Sequence, residues 1–303
     1  MVAIRIDIDQ KGFTLVELIV ALAIGLIVSA AALQLFTGGI ITTRMQDASA
    51  ELQDSGVFGL EYLARDIRMA NYNNTNALVL TDQTNMGGVV LSSGVTGANL
   101  PLASVAAGLL SHSAGASNVS GNSDQLTIQY ISPDNRVNCE GELVDAGDYV
   151  IQRYFLRRDT TTGAGANDLV LACDANTPDT GAVSITGFAT GNAGEMIMPR
   201  VDQLRFYLGT RIGNNTFAYY TLAQYRATAN AARLAGTEVP RIISVKVNVL
   251  VRSRDSTASK EIDLTQSFPF LDGAVTPTDQ TTRYMRRMYS TNVTFRNGLG
   301  VSQ

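Results

Sequence analysis

The chain has 303 residues and a net charge of -4 at pH 7, enough length for one large domain or two small ones and too acidic a balance for wholesale nucleic-acid binding. Lysine occurs only at Lys11, Lys246 and Lys260, while 27 glycines are present and Ser, Thr and Asn crowd the middle of the chain, a composition that favours loops and short strands over helix. A single histidine and two cysteines without a Cys-x-x-Cys pair exclude a zinc site built from those residues.

Residues 1–12 carry Arg5 and Lys11, as a cytoplasmic flank should, together with Asp7 and Asp9. The run that follows organises the rest of the chain. From Phe13 to Leu33 it holds one charge, Glu17, and only Thr14 and Ser29 as other polar side chains. Roughly 20 apolar residues in a helix cross the hydrocarbon core of a bilayer, and in lipid every backbone amide must bond internally, so the segment should be helical. It is too long for the h-region of a secretory signal, and no small-residue cleavage site follows it. A carboxylate near mid-bilayer costs on the order of 2.5–3.5 kcal/mol, so Glu17 calls for a partner.

Gly12, Phe13, Thr14, Leu15 and Glu17 match, position by position, the motif of the type IV prepilins and their type II secretion relatives, which this stretch resembles. The resemblance implies cleavage by a prepilin peptidase between Gly12 and Phe13 and methylation of the new amine on Phe13. It also implies that Glu17 acts in assembly, as the partner of that amine within one chain or between two. Residues 1–12 are then a leader peptide and 13–36 a single inner-membrane span, with the remaining chain in the periplasm.

Beyond Phe36 the pattern changes. Gly38-Gly39 suggests a kink or loosening of the helix. Ile41, Met45, Ala48, Leu52, Leu63, Ile67 and Ala70 then recur every three or four residues, with Arg44, Asp47, Glu51, Asp54, Glu61, Arg65 and Asp66 mostly elsewhere. This predicts an amphipathic half-helix over 37–70, continuous with the apolar half and packed on a domain. Gly56 and Gly59 either weaken it or let something approach closely.

Residues 73–123 carry little signal. Short strands are possible at 77–80 and 89–91, and 111–123, with His112, reads as a long exposed loop. From Asp124 the period is two. Residues 126–130, 149–157, 168–173, 201–208, 241–252, 262–268 and 289–295 are rich in Val, Ile, Tyr and Phe and are bounded by Gly, Pro, Asn and Asp. The Ala-rich stretch 220–235 reads as a helix or ordered insertion. One long helix followed by many strands predicts an α+β fold, with a large antiparallel sheet domain over 71–303 wrapped on the amphipathic half-helix. In the oxidising compartment beyond the membrane, Cys139 and Cys173 are expected to form a disulfide, closing a loop of about 35 residues and stabilising by roughly 3–4 kcal/mol.

Three further segments, 62–72, 242–253 and 286–297, resemble the PilW family of minor pilins. That resemblance implies a non-enzymatic protein that acts with other minor pilins and the major pilin, priming pilus assembly at the inner membrane and capping the pilus tip. The alternatives are a J-type pseudopilin of type II secretion, which shares the N-terminal plan, and a tip-borne module that binds DNA or a surface. Catalytic patterns are missing from the sequence. There is no Gly-x-x-x-x-Gly-Lys-Ser/Thr loop and no Gly-x-Ser-x-Gly elbow. The run 174–179 hints at a calcium loop but places Pro178 where a ligand should stand. The last 24 residues hold four arginines and no acid, interleaved with Tyr284, Tyr289 and Phe295, which single-stranded DNA could use but which also alternate as strand core would.

Overall fold

A computed structural model describes residues 12–72, 74, 79–103, 105–179, 182–185, 188, 194–213 and 215–295. The leader up to Lys11, the first half of the 77–80 strand candidate and the Arg296-Asn297 end of the final segment lie outside these. The chain divides into two units between Asp47 and Ala48.

Helix α1, Leu15–Ile67, ends three residues earlier than its apolar periodicity suggests, because Arg68–Tyr72 close into turns. In the first unit its 18-residue apolar window has a mean hydropathy of 2.5 and no buried residue. Gly38 and Gly39 do not interrupt the helix. The Thr42 and Thr43 hydroxyls donate to their carbonyls at 3.0 and 3.1 Å, adding side-chain bonds one turn on at the position expected to loosen.

The second unit begins where burial begins. Ala48, Leu52, Gly56, Gly59, Leu60, Leu63, Ala64 and Ile67 form one buried stripe on α1. The packed part of the helix therefore starts at Ala48 rather than at residue 37, since Ile41 and Met45 are only half-buried. A five-stranded sheet packs here, built from β1 (His112–Gly115), β2 (Ser123–Ile131), β5 (Tyr149–Arg158), β6 (Leu169–Asn176) and β7 (Glu195–Met198) in the order β1-β2-β5-β6-β7. Between β2 and β5 lies a small hairpin, β3 (Arg136–Val137) and β4 (Leu143–Val144). A second sheet has four strands: β8 (Val201–Ile212), β9 (Thr216–Thr221), β10 (Arg241–Arg252) and β13 (Arg286–Thr294), in the order β13-β10-β8-β9. A further hairpin joins β11 (Phe268–Phe270) to β12 (Gly273–Val275). Every strand pair is antiparallel.

Both large sheets contribute to one core with α1: Leu126, Tyr154 and Leu171 from the first, and Phe206, Val247 and Val293 from the second, join Leu52, Leu63 and Ile67. The two helix glycines are sites of close approach. A Cβ at Gly56 would overlap the Tyr289 ring, and one at Gly59 the terminal methyl of Met198.

Two sequence expectations fail in this unit. The stretch 262–268 is not a strand except at its last residue, where β11 starts. The 111–123 stretch is not an exposed loop: it contains β1, and Ser111 and Ser123 are fully buried. The reason is visible in β2. Its residues alternate in chemistry but not in exposure, because Gln125, Thr127 and Gln129 are buried beneath the 79–111 segment. Thr127 donates to the Leu109 carbonyl at 2.6 Å, Gln125 to Leu110 at 2.9 Å and Gln129 to Gly87 at 2.6 Å. Buried polar groups must be hydrogen-bonded, and this irregular cover meets that need with its carbonyls. Helix α2 (Leu222–Leu234), opened by a capping box between Thr221 and Gln224, holds the cover down. Arg226 reaches the carbonyls of Leu91 and Ser111 at 2.7 and 2.6 Å, and Arg233 reaches Asp82 at 2.8 Å.

A buried ion network ties the strands of the second sheet to the turn before β6. Asp202, with no exposed surface, accepts bonds from Arg252 at 3.1 Å, Arg286 at 2.8 Å and Asn118 at 3.0 Å. Arg252 and Arg200 both pair with Asp168, and Tyr284 lies 4.2 Å from the Arg252 guanidinium. Asp202→Asn leaves two buried guanidinium groups short of charge and should destabilise the fold by about 3–5 kcal/mol. Glu238→Gln, which removes a half-exposed partner of Arg241, should leave stability near wild type. Denaturant titration of both variants checks the contrast. A chain starting at Ala48 keeps every buried helix residue, so it should be soluble, with a β-rich circular dichroism spectrum. A chain starting at Asn71 loses the stripe and should aggregate; size-exclusion chromatography separates the two outcomes.

Candidate functional site

The residues singled out for processing and assembly lie together at the start of α1. Gly12 and Phe13 precede the helix, and Phe13 is 92% exposed. Thr14 is the turn point. Its hydroxyl accepts the Glu17 amide at 3.2 Å, and Glu17 Oε2 accepts both the Thr14 amide at 2.9 Å and the Thr14 hydroxyl at 3.0 Å. This is a reciprocal capping box, Thr-x-x-Glu. It satisfies amides that a helix start leaves without partners, and it places the carboxylate at the positive end of the helix dipole. Glu17 thus has a partner in Thr14, where the sequence analysis looked only to the Phe13 amine. The capping box is legible in the sequence as a threonine three residues before a glutamate at the head of an apolar run.

After the capping box, α1 presents an apolar surface on all sides. Leu15, Val16, Leu18, Ile19, Leu22, Leu26 and Ile27 are each more than half exposed. A helix apolar all round must be covered by lipid or by other helices, so this surface fits membrane anchoring and helix association equally well.

Cys139 and Cys173 fall in the second unit and are joined as a disulfide, with their Cα atoms 6.0 Å apart. Cys173 lies in β6 opposite Tyr154, and Cys139 lies just beyond β3. The bridge fastens the β3–β4 hairpin to the five-stranded sheet. Glu140 supports it by accepting the Ala175 amide at 2.8 Å, and Asn138 Oδ1 by accepting the amides of Glu140 and Glu142 at 3.0 Å each.

The residues considered for other chemistry are engaged elsewhere. His112 Nδ1 lies 2.8 Å from the Leu110 carbonyl oxygen on an edge strand. Asp174, the head of the calcium-like run, pairs with the buried Arg153, and among the described residues no group of three or more His, Cys, Asp or Glu could hold a metal ion. In the C-terminal segment, Arg283 donates to the Ile262 carbonyl at 2.8 Å and Arg286 to Asp202. Phe295 is buried and Tyr289 packs against Gly56. The interleaved arginines and aromatics are therefore largely committed to the fold.

Comparison with known families adds two matches. A model described as "Type IV Pilus-assembly protein W", PilW, matches residues 153–297, and the prokaryotic N-terminal methylation motif matches residues 8–33. Among solved structures, the type IV-like pilin TTHA1219 from Thermus thermophilus is 14% identical, covering 82% of this chain and 96% of its own, with a TM-score of 0.40. No curated protein matches the sequence. The N-terminal match contains the capped start of α1, and the PilW match runs from β5 through β13. With the methylation motif at the head of an apolar helix and a PilW match over residues 153–297 behind it, the chain is a type IV pilus minor pilin similar to PilW.

Proposed function

We propose that this minor pilin primes type IV pilus assembly and occupies the pilus tip together with other minor pilins. The observation that carries the reading is the head of α1: an apolar surface on every side, with one carboxylate fixed at its start by Thr14. Such a helix suits two solvents in turn, the bilayer before assembly and a bundle of like helices afterwards. A prepilin peptidase cuts between Gly12 and Phe13 and methylates Phe13. The amine so formed lies next to Thr14 and carries positive charge near neutral pH, its reference pKa being about 7.7–8.0. Glu17 of this chain or of a neighbour then has a cation within reach, and in a desolvated bundle that attraction fixes axial register. The domain from Ala48 onward lies in the periplasm until assembly. Its two sheets and their cover make a large head, which favours a terminal position, where one packing face suffices, over a repeating one.

The test is complementation of a strain lacking the gene. Loss of pili restored by the wild-type chain is expected, whereas loss of secreted enzymes with normal pili would point instead to a type II pseudopilin. Glu17→Gln keeps the shape of the side chain and removes its charge. The variant should be cleaved and inserted with its disulfide formed, but should co-purify poorly with the other minor pilins and the major pilin and restore few pili. Wild-type piliation with Glu17→Gln would overturn the assigned role. Gly12→Leu places a bulky side chain at the scissile bond. It should leave a precursor about 12 residues heavier, read by mass spectrometry of the membrane fraction.

A further inference from the structure

Beside the disulfide, the globular unit contains a cavity of about 620 Å³. The last turns of α1 supply Tyr62, Asp66 and Met69, β2 supplies Tyr130, and the loop of Cys139 and Glu140 forms the opposite wall. Neither the fold nor the assembly site accounts for what these groups do together.

Asp66 is poorly placed for a carboxylate. It is the penultimate residue of α1, where the helix dipole disfavours negative charge, and its side chain is only 15% exposed. Its Oδ2 accepts the hydroxyl of the fully buried Tyr154 at 3.0 Å. The one cation in ion-pair range among the described residues, Arg65, comes no closer than 3.7 Å and keeps its own side chain 68% exposed. Burial pushes the Asp66 carboxyl above its ordinary range, against the opposing effects of Tyr154, Arg65 and, more weakly, Arg136. The cavity's other arginine, Arg136, is held at 2.6 Å by Asp134. The ion pair at the base of this cavity is therefore incomplete, and a buried carboxylate is costly until it is paired.

The surroundings suit a cation. The Tyr62 ring already carries the Arg65 guanidinium 4.9 Å from its centroid, an arrangement that attracts positive charge to an aromatic face. Tyr130 is only 4% exposed, and its hydroxyl makes no hydrogen bond among the described residues although it lines the cavity. Glu140 and Glu195 add negative charge to the wall. Met69 and the Cys139 side chain offer apolar contact for an aliphatic stem.

We propose that this cavity is a docking site for a lysine side chain of a partner polypeptide, whose ammonium takes the place of Arg65 beside Asp66. The slender stem passes Met69 and Cys139, and the Tyr130 hydroxyl gains the ammonium as a donor. Arg65 acts as a placeholder that swings into solvent. The volume exceeds that of one lysine side chain and leaves room for the backbone that bears it, which a free diamine would leave unfilled. A second copy of this chain offers few donors, of which only Lys260 is exposed. Beyond the leader it has only Lys246 and Lys260, and Lys246 lies on β10 with its ammonium 5.8 Å from the Tyr219 ring centroid.

The full chain in detergent micelles, labelled at its tyrosine rings for NMR, tests this with three probes: acetyl-Gly-Lys-Gly-amide, the same peptide with norleucine, and cadaverine. The lysine peptide should shift the Tyr62 and Tyr130 ring resonances saturably, and the norleucine peptide should not. Asp66→Asn should weaken the lysine peptide by at least about tenfold, whereas Arg65→Ala, by removing the competitor, should tighten it severalfold. If near-UV circular dichroism shows that Asp66→Asn has lost its tertiary structure, Tyr130→Phe takes its place, with severalfold weakening expected. Equal shifts from the norleucine peptide, or wild-type affinity in the substituted protein, would overturn the proposal. Cadaverine binding tighter than the lysine peptide would overturn the assignment to a polypeptide.

Discussion

The domain depends on burial of one helical stripe, Ala48 to Ile67, in a core to which both sheets contribute. Leu52, Leu63 and Ile67 belong to one buried cluster with residues from both sheets, and each fully buried aliphatic side chain contributes about 1.5–3 kcal/mol. The stripe is narrow, and glycine makes it so. At Gly56 the Tyr289 ring of β13 lies where a Cβ would be, and at Gly59 Met198 of β7 does the same. Glycine in a helix costs roughly 1 kcal/mol relative to alanine. Here that cost is offset by letting an edge strand from each sheet approach the helix backbone.

Polar satisfaction supplies the second layer of the fold. The outer face of β2 presents Gln125, Thr127 and Gln129, and a sheet of that composition could face water. Instead the 79–111 segment covers it with carbonyl groups, and α2 clamps the cover through Arg226 and Arg233. Buried hydrogen bonds of this kind contribute modestly when made and cost more when broken, so they fix the path of an irregular segment that has little hydrophobic pattern of its own. The Asp202 network follows the same logic with charges, joining the arginines of β10 and β13 to the turn before β6.

The head of α1 satisfies its one carboxylate within its own first turn. In the precursor sequence Glu17 caps its own helix through Thr14, so its presence in an apolar run is locally satisfied. A bond of that kind is exchangeable. On the proposed function, an amine formed next to Thr14 by cleavage would compete for the same oxygens. Asp66 at the other end of the helix is a contrasting case. It sits where the dipole opposes it, its nearest cation, the mostly exposed Arg65, stays 3.7 Å away, and the cavity around it remains open to a ligand.

The sequence by itself determined the elements whose physical signal is local. The apolar run with Glu17, the helical stripe read from Ile41 to Ala70, and the strands read at 149–157 and 241–252 follow from periodicities of 3.6 and 2. The Gly12–Phe13 motif marks the family, because so many specified residues in so short a span rarely coincide by chance. Only the tertiary structure decided which faces are buried. The alternation in β2 reads as one face in and one face out, yet both are covered, because the cover is recognised through backbone carbonyls that every residue carries and no pattern reveals. For the same reason 111–123 reads as a loop. The arginines of the C-terminal segment read as a free basic strip until Asp202, some 84 residues away in sequence, is seen to hold Arg286. The pocket around Asp66 could not be read at all, since it joins one helix end, one strand and one disulfide loop. Such a site is defined by distances between segments, and a linear sequence specifies those only through the fold.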